Sequence, residues 1–496
     1  MVISYYRLSV VGRSSLLIVK GSLGGAGCPY HCAIETRAVR YFHPIPDFVI
    51  LAADYCKKAA ESQIWEEFMF ASVTRLPSIL SQAGTRAQFG RAPESWRTSE
   101  RRDVPSKLSP IARFASATSL ASGALLMASS IGTGAIAAEY LYSINNDPGQ
   151  NAVVVLSRNE DGSLSEVAGS PFPTGGKGLG GGDIDQQGAI RVRDKYVLAV
   201  NPGSDSVAVF RKGDGGILSP VDGSPFPAGG PAPLSLTIHN DLVYVANQAP
   251  SFANKSAAPN ISGFRMDNDG KLTPIANSTR TFPVGHGPAQ VEFSPGGETV
   301  VVTSGFQDVA TSSVHGYKVQ ADGTLKEAAG SPVQVMGASG DVGFSWNKGG
   351  DQIYVSNFRG SAVAVFDIGK TTGIVKQVAG TLETQGTAAC WTTLSPDGKT
   401  LYVANFVSNS ISAFDVGAGG QLTLLGTTKR RVEQTAADTK DMAISKDGKF
   451  LYVVGSSARE VSAFSVGTDR TPTELPAGKS PLKLNTGQNI LGLASD

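Results

Sequence analysis

The sequence has little charge, few cysteines and few histidines for a chain of 496 residues. Charged residues make up 17%, and the net charge of +1 argues against a nucleic-acid binder, which needs a basic surface. Four cysteines are too few to hold a chain of this size together by disulfides, so apolar packing must do so. Hydrophobic residues, at 41%, supply a large core and exclude wholesale disorder.

Three common signatures of active sites are also missing. There is no Gly-x-Ser-x-Gly nucleophile elbow and no pair of histidines at metal-binding spacing. Residues 178–182 are rich in glycine, but they lead into a strand-like sequence and lack the helix end that would bind phosphate. We therefore predict no cofactor and no bound metal.

Residues 1–138 differ in charge from the rest of the chain. They contain 15 Lys and Arg against 9 Asp and Glu, whereas residues 139–496 contain 28 against 33. Residues 107–113 are basic, residues 114–138 carry no charge, and Ala135-Ile136-Ala137 ends the stretch. This order of basic, apolar and small-x-small segments is typical of a secretory signal peptide. We expect cleavage just before Glu139 and a secreted or periplasmic protein.

Three interpretations of this region stay open. Residues 1–106 are an extension absent from the mature protein, although no Met lies just before Lys107. Alternatively, residues 114–138 form a signal anchor, for which 25 uncharged residues suffice, but their Ser, Thr and Gly content disfavours a stable membrane span. The third interpretation is a Ser/Ala-rich linker. Cys28 and Cys32 form only half a zinc site, so residues 1–106 receive no function.

Residues 139–496 contain seven copies of one unit. Its clearest copies are Leu401-Tyr-Val-Ala-Asn405 with Ile411-Ser-Ala-Phe414, and Ile353-Tyr-Val-Ser-Asn357 with Val363-Ala-Val-Phe366. The first motif ends at residues 145, 201, 247, 304, 357, 405 and 455, about 52 residues apart. Short runs rich in Val, Ile, Tyr and Phe between Gly/Asp turns indicate strands. We predict an all-β fold, a seven-bladed β-propeller with four strands in each blade.

The two ends of the repeat region predict how the ring closes. An innermost strand precedes the motif in six copies, at residues 182–184, 236–238, 291–293, 342–344, 392–394 and 442–444. The first copy lacks one, and the chain ends in a spare copy, residues 490–496. We expect this C-terminal strand to join the first blade, because closure removes the free edges of the ring.

The repeat region resembles the seven-bladed lactonase family, which includes 6-phosphogluconolactonase-type and carboxymuconate-lactonizing propellers. The resemblance rests on the phrases at 293–297, 353–360 and 394–405. A family histidine just before an inner strand corresponds to His286. The chain departs from the family at 338–341, where Asp341 ends a stretch without the family's Arg and His. It departs again at 389–391, where the family tends to show Asp and His, and at 439–441, where the family shows Pro-Arg-Gly.

Lactone hydrolysis needs a base, a donor for the oxyanion and groups that bind the acid. We take His286 as the base, Glu292 as its partner or substitute, and Arg359 as the carboxylate-binding group. The substrate-binding candidates are Asp341, Asp441 and Trp391. Five of these residues also have a structural interpretation. It is a loop hydrogen bond for His286, a surface ion pair for Arg359, backbone contacts for Asp341 and Asp441, and blade packing for Trp391.

The resemblance implies an exported hydrolase of a lactone or cycloisomerase of a muconate-like acid, if the protein is an enzyme. The alternative is a secreted propeller without activity that binds a protein, a glycan or a surface component. A phosphorylated sugar lactone is the least attractive substrate, because export argues against it and because Asp183, Asp185, Asp341 and Asp441, on or beside inner strands, would repel its charge.

Overall fold

The computed structural model describes residues 139–181, 187–248, 258–304, 312–336, 340–378, 380–432 and 437–496. The expected export signal and residues 1–106 lie outside these residues, so the predicted domain boundaries stay predictions. The described part of the chain consists of strands and two short 3-10 helices, Asp214–Gly216 and Ala418–Gly420. No helix in these ranges is long and apolar enough to cross a membrane.

The strands form seven antiparallel sheets, which we number as blades 1 to 7. Blade 1 has β1 (Tyr140–Ile144), β2 (Ala152–Arg158), β3 (Leu164–Glu166), β4 (Phe172–Pro173) and β34 (Leu491–Ser495). Blade 2 has β5 (Ile190–Arg193), β6 (Tyr196–Asn201), β7 (Ser206–Lys212), β8 (Leu218–Pro220) and β9 (Phe226–Pro227). Blade 3 has β10 (Pro233–His239), β11 (Leu242–Asn247), β12 (Asn260–Met266), β13 (Leu272–Pro274) and β14 (Arg280–Thr281). Blade 4 has β15 (Pro288–Phe293), β16 (Thr299–Ser304), β17 (Ser313–Val319), β18 (Leu325–Glu327) and β19 (Val333–Gln334).

The remaining three blades follow the same chain path. Blade 5 has β20 (Asp341–Trp346), β21 (Gln352–Asn357), β22 (Ala362–Ile368), β23 (Val375–Gln377) and β24 (Leu382–Glu383). Blade 6 has β25 (Ala389–Leu394), β26 (Thr400–Asn405), β27 (Ser410–Val416) and β28 (Leu422–Lys429). Blade 7 has β29 (Thr439–Ile444), β30 (Phe450–Gly455), β31 (Glu460–Val466), β32 (Pro472–Glu474) and β33 (Leu482–Lys483).

Each blade pairs four strands in order from the channel outwards, which confirms the predicted seven-bladed propeller. In six blades the third strand pairs along one part with a three-residue outer strand and along another part with a two-residue strand. Blade 6 instead has one outer strand of eight residues, β28. The sequence analysis did not anticipate these short strands, because two residues carry no periodic pattern.

The tyrosine of the repeated motif explains part of the contact between blades. Tyr244, Tyr402 and Tyr452 lie on the second strands of their blades and are buried between neighbouring sheets. Each hydroxyl donates to a backbone oxygen in the outer turn of the next blade, Gly323 at 2.6 Å, Arg470 at 3.1 Å and Gly162 at 3.1 Å. The ring buries a large apolar side chain and still satisfies its polar end.

The innermost strand of blade 2 differs from the prediction. We expected it at residues 182–184, but the strand beside β6 is β5, Ile190–Arg193. A two-residue turn at Asp194 and Lys195 joins β5 to β6, and Asp194 takes a positive φ of 49° there. Residues 182–186 lie outside the described ranges. The other five predicted inner strands fall within β10, β15, β20, β25 and β29.

The C-terminal strand closes the ring as predicted. β34 pairs with β1 and becomes the innermost strand of blade 1. The side chain of Asp496, the last residue, accepts a hydrogen bond from Lys212 Nζ at 2.5 Å and one from the Tyr142 hydroxyl at 3.3 Å. Ile490, Leu491 and Leu493 are buried. The C-terminal strand and the first four strands therefore form one sheet, blade 1.

Removal of residues 490–496 is expected to abolish folding, because β1 loses its inner partner, β34. The chain also loses three buried apolar side chains, whose burial contributes about 1.5–3 kcal/mol each. That loss is comparable with the whole stability of a typical domain, about 5–15 kcal/mol. Circular dichroism during thermal unfolding measures it. The control Asp496→Asn removes only the side-chain charge of this residue and should cost about 1–2 kcal/mol. A cooperative transition of the truncated chain near that of the wild type would contradict this role of β34.

Candidate functional site at one opening of the channel

The innermost strands of the seven blades all run in the same direction, away from one opening of the central channel, because every blade repeats one chain path. We call this opening the mouth and the other the far opening. His286 precedes β15 by two residues, Asp341 begins β20, and Trp391 and Lys440 lie near the starts of β25 and β29. The mouth therefore gathers polar and aromatic residues from blades 4 to 7.

Trp391 forms an aromatic wall with a cation against it. Its ring meets that of Phe406 edge to face, with centroids 6.2 Å apart. The ammonium nitrogen of Lys440, on the next blade, lies 5.8 Å from the Trp391 ring and 5.6 Å from the Phe406 ring. Trp391 and Lys440 are 2% and 3% exposed. This contact places a positive charge in a low-dielectric setting, where it acts strongly on nearby charge.

Asp341 is buried at the start of β20 and faces Asn357, its partner in the sheet. The Asn357 amide donates to Asp341 Oδ1, and Asp341 Oδ2 has no hydrogen-bond partner. Burial raises the pKa of Asp341 to about 8, while the Asn357 hydrogen bond acts in the opposite direction. At neutral pH this side chain is therefore uncharged and adds no negative charge to the mouth.

His286 lies half-buried in the loop between β14 and β15. Its backbone N–H donates to Pro283 O at 3.0 Å, which fixes the turn of this loop. Burial lowers the pKa of His315, on β17, to about 4, and the charge of nearby His286 contributes to that shift. His315 Nε2 lies 2.9 Å from Ser304 Oγ within the sheet. We assign His315 to the packing of blade 4 and retain His286 as the mouth histidine.

Arg359 is exposed in the loop after β21. A Cβ on Gly340 would lie about 3.6 Å from Arg359 Cγ, and Phe358 N–H donates to Gly340 O at 2.8 Å. The loop thus lies directly beside the residue that precedes Asp341. Arg359 stands at the same face of the ring as His286, on the next blade.

Glu292 lies towards the far opening. It is the fifth residue of β15, about 13 Å along the strand from Pro288 at roughly 3.3 Å per residue. Its carboxylate contacts Arg191 Nη2 at 3.4 Å and accepts from Gln290 Nε2 at 2.8 Å. Burial raises the pKa of Glu292, and Arg191 opposes that shift. The contacts of Glu292 join it to the channel wall, and its predicted partnership with His286 stays a prediction without support from them.

Asp441 matches its structural alternative rather than a ligand-facing role. It is buried on β29, and its carboxylate accepts from Met442 N–H at 2.8 Å and from Leu493 N–H at 3.1 Å. Burial raises the pKa of Asp441 to about 6. These two hydrogen bonds, a further one from Gly188 N–H and the charge of Arg191 all act in the opposite direction. Asp441 thus fastens blade 7 to β34. The role of Asp441 in substrate binding stays a prediction.

Two findings change the expected electrostatics of the channel. Asp341 is neutral near pH 7, and the carboxylate of Asp441 is already held by backbone N–H groups and faces Arg191. Neither residue therefore supports the expected repulsion of anionic lactones by channel aspartates. The other two aspartates of that argument, Asp183 and Asp185, lie outside the described ranges. In the ranges that are described, no three metal-ligating side chains converge on one point.

Sequence reasoning missed three residues that matter here. Lys440 stands within the stretch 439–441, where the family carries an arginine, and a basic residue at that point was a usable signal. Arg191 and Gln187 gave no signal, because their partners belong to blades far away in sequence.

Comparison with known proteins bears on this propeller in two ways. Residues 345–478 match the family model "Lactonase, 7-bladed beta-propeller", and this segment contains Arg359, Trp391 and Lys440. His286 and Asp341 precede it. No curated protein matches the sequence.

Solved structures share the fold over nearly their whole length. A candidate 6-phosphogluconolactonase from Bacteroides fragilis is 19% identical with a TM-score of 0.57, covering 72% of this chain and 98% of its own. The periplasmic gluconolactonase of Pseudomonas aeruginosa is 18% identical with a TM-score of 0.56, covering 72% and 98%. The chain contains a propeller with the lactonase-type fold. At these identities the structural likeness of the lactonase-type propeller shows its fold and not its substrate.

The protonation of Asp341 predicts a pH-dependent stability. The folded propeller holds Asp341 protonated up to about pH 8, whereas the unfolded chain ionises it near pH 4. The stability that this group contributes is fully present below pH 4 and is lost as pH rises to 8, at about 1.4 kcal/mol per unit. Asp341→Asn keeps the acceptor for Asn357 and should grow more stable than the wild type across this interval. Denaturant unfolding at pH 4.5, 6 and 8 measures it, and parallel pH profiles of both proteins would contradict it.

Proposed function

We propose that the lactonase-type propeller hydrolyses a lactone that carries a carboxylate, at the mouth. The observation that carries this proposal is the charge of the mouth. Lys440, Arg359 and His286 supply basic groups from blades 7, 5 and 4, while burial keeps Asp341 uncharged. The family match over residues 345–478 covers two of these three basic residues.

In this proposal His286 acts as the general base. Its imidazole takes a proton from water, and the resulting hydroxide attacks the carbonyl carbon of the lactone. The ring C–O bond then breaks, and the alkoxide takes the proton back from the imidazolium. The reaction consumes one water molecule and leaves the histidine unchanged.

The two cations have separate roles in this proposal. Arg359 is exposed at the rim and pairs with the carboxylate of the ligand, for which a guanidinium provides two parallel hydrogen bonds. Lys440 lies behind the aromatic wall, where its charge favours the negative oxygen that develops at the carbonyl. Trp391 and Phe406 provide the apolar surface beside it.

One observation favours a second candidate, a propeller that binds a ligand without turnover. Trp391 and Lys440 are almost fully covered, and Asp341 stands where the family carries histidine. A propeller that retained the fold but not the family's polar set would bind a protein, a glycan or a surface component at this face. Formation of a lactone from a muconate-like acid is a different reaction, in which a carboxylate oxygen adds to a carbon–carbon double bond and a general acid protonates the neighbouring carbon. The muconates of the same assay panel test it. We also propose export, on the pattern at 107–138.

Activity against a panel of lactones and muconates, with spontaneous hydrolysis subtracted, tests the proposal. His286→Ala should lower kcat/KM by about 10²–10⁴-fold, because a positioned base contributes about that much. Arg359→Met should raise KM for carboxylate-bearing lactones more than for uncharged ones. His239→Ala is the matched control, since His239 ends β10 near the far opening and packs on Phe293. No turnover by the folded protein, or equal losses from both histidine variants, would overturn the proposal.

A further inference from the structure

A segment of blade 2 reaches across the channel to the opposite side of the ring. We call residues 187–189, which lead into β5, the strap. The Gln187 side chain donates through Nε2 to Thr392 O at 2.6 Å, and Thr392 N–H donates to Gln187 Oε1 at 3.0 Å. Thr392 lies on β25, the innermost strand of blade 6, which is not a neighbour of blade 2. Two hydrogen bonds therefore span the ring from wall to wall.

The rest of the strap contacts further innermost strands. Ser235 Oγ donates to Gln187 O at 2.7 Å, and Leu236 N–H donates to Gly188 O at 2.9 Å, both from blade 3. A Cβ on Gly343 of blade 5 would lie 2.2 Å from Gln187 Oε1, so only glycine leaves room for the amide. Beyond the strap, Arg191 on β5 reaches Glu292 of blade 4. The strap thus fills the middle of the channel.

We propose that Gln187 is a positioning residue of the mouth. Its amide holds Thr392, which follows Trp391, and so fixes the start of β25 where Trp391 meets Lys440. The strap also forms the floor of the mouth, and the ion pair between Arg191 and Glu292 lies on its far side. The part of this inference that concerns ligand binding rests on the proposed function, whereas the floor does not.

The chain offers a matched control for this role. Gln290 makes the same two bonds to a backbone, donating to Phe344 O at 3.0 Å and accepting from Phe344 N–H at 2.6 Å. It joins the neighbouring blades 4 and 5 and does not touch β25. Gln290→Ala therefore removes the same pair of backbone hydrogen bonds as Gln187→Ala, together with the Gln290 bond to Glu292, without releasing the wall that bears Trp391.

Alkylation of Cys390 tests the floor without any substrate. Cys390 is 2% exposed on β25, and its position is two residues before Thr392. With the folded full chain and peptide mapping, iodoacetamide should modify Cys390 slowly in the wild type and in Gln290→Ala. In Gln187→Ala the rate should rise at least roughly tenfold. If that variant does not fold, Gln187→Met keeps the volume, lacks both hydrogen bonds, and should show the same increase.

Kinetics test the positioning role separately. For any lactone that the wild type hydrolyses, Gln187→Ala should raise KM at least fivefold more than Gln290→Ala does, with both proteins equally folded by circular dichroism. Equal Cys390 alkylation in the two variants, or rapid alkylation in the folded wild type, would overturn the floor. Faster alkylation with unchanged KM would overturn the positioning role, and a complete lack of turnover would count against the proposed function instead.

Discussion

The pairing of β34 with β1 is the constraint on which the rest of the structure depends. Each blade is stable only against its two neighbours, because the apolar faces of its sheet are covered by theirs. The last strand supplies the missing innermost position of blade 1, and its residues also serve blade 7 and blade 2, through Leu493 to Asp441 and Asp496 to Lys212. Closure therefore sets the width of the channel, and the width decides which side chains meet across it.

The candidate site follows from that geometry. Since the innermost strands run away from one opening, residues that precede or start those of blades 4 to 7 collect there, although successive ones are about 50 residues apart in sequence. Residues further from the mouth lie towards the other opening, as Glu292 on β15 and Arg191 on β5 do. The strap separates the two groups. Chemistry at the mouth thus depends on four blades, and no single repeat contains it.

Much of the fold could be predicted from the sequence, because the motif ending at Asn405 recurs at near-constant spacing and strands alternate with turns. The closing strand could be predicted from one spare copy. The start of β5 could not, because glycine-rich residues beside 182 imitate a strand entrance. Of the site, His286 was accessible through the family pattern, and Arg359 through its position after the motif strand of the next blade. The contacts of Gln187, Arg191 and Glu292 were not, because distances across a ring depend on closure and leave no local pattern.

The most direct test of this account is the structure of the propeller with a slowly hydrolysed carboxylate-bearing lactone. The account predicts the ligand at the mouth, with its carboxylate on Arg359, its carbonyl oxygen towards Lys440 and a water molecule between His286 and the carbonyl carbon. A ligand bound beside Arg191 and Glu292, on the far side of the strap, would contradict it.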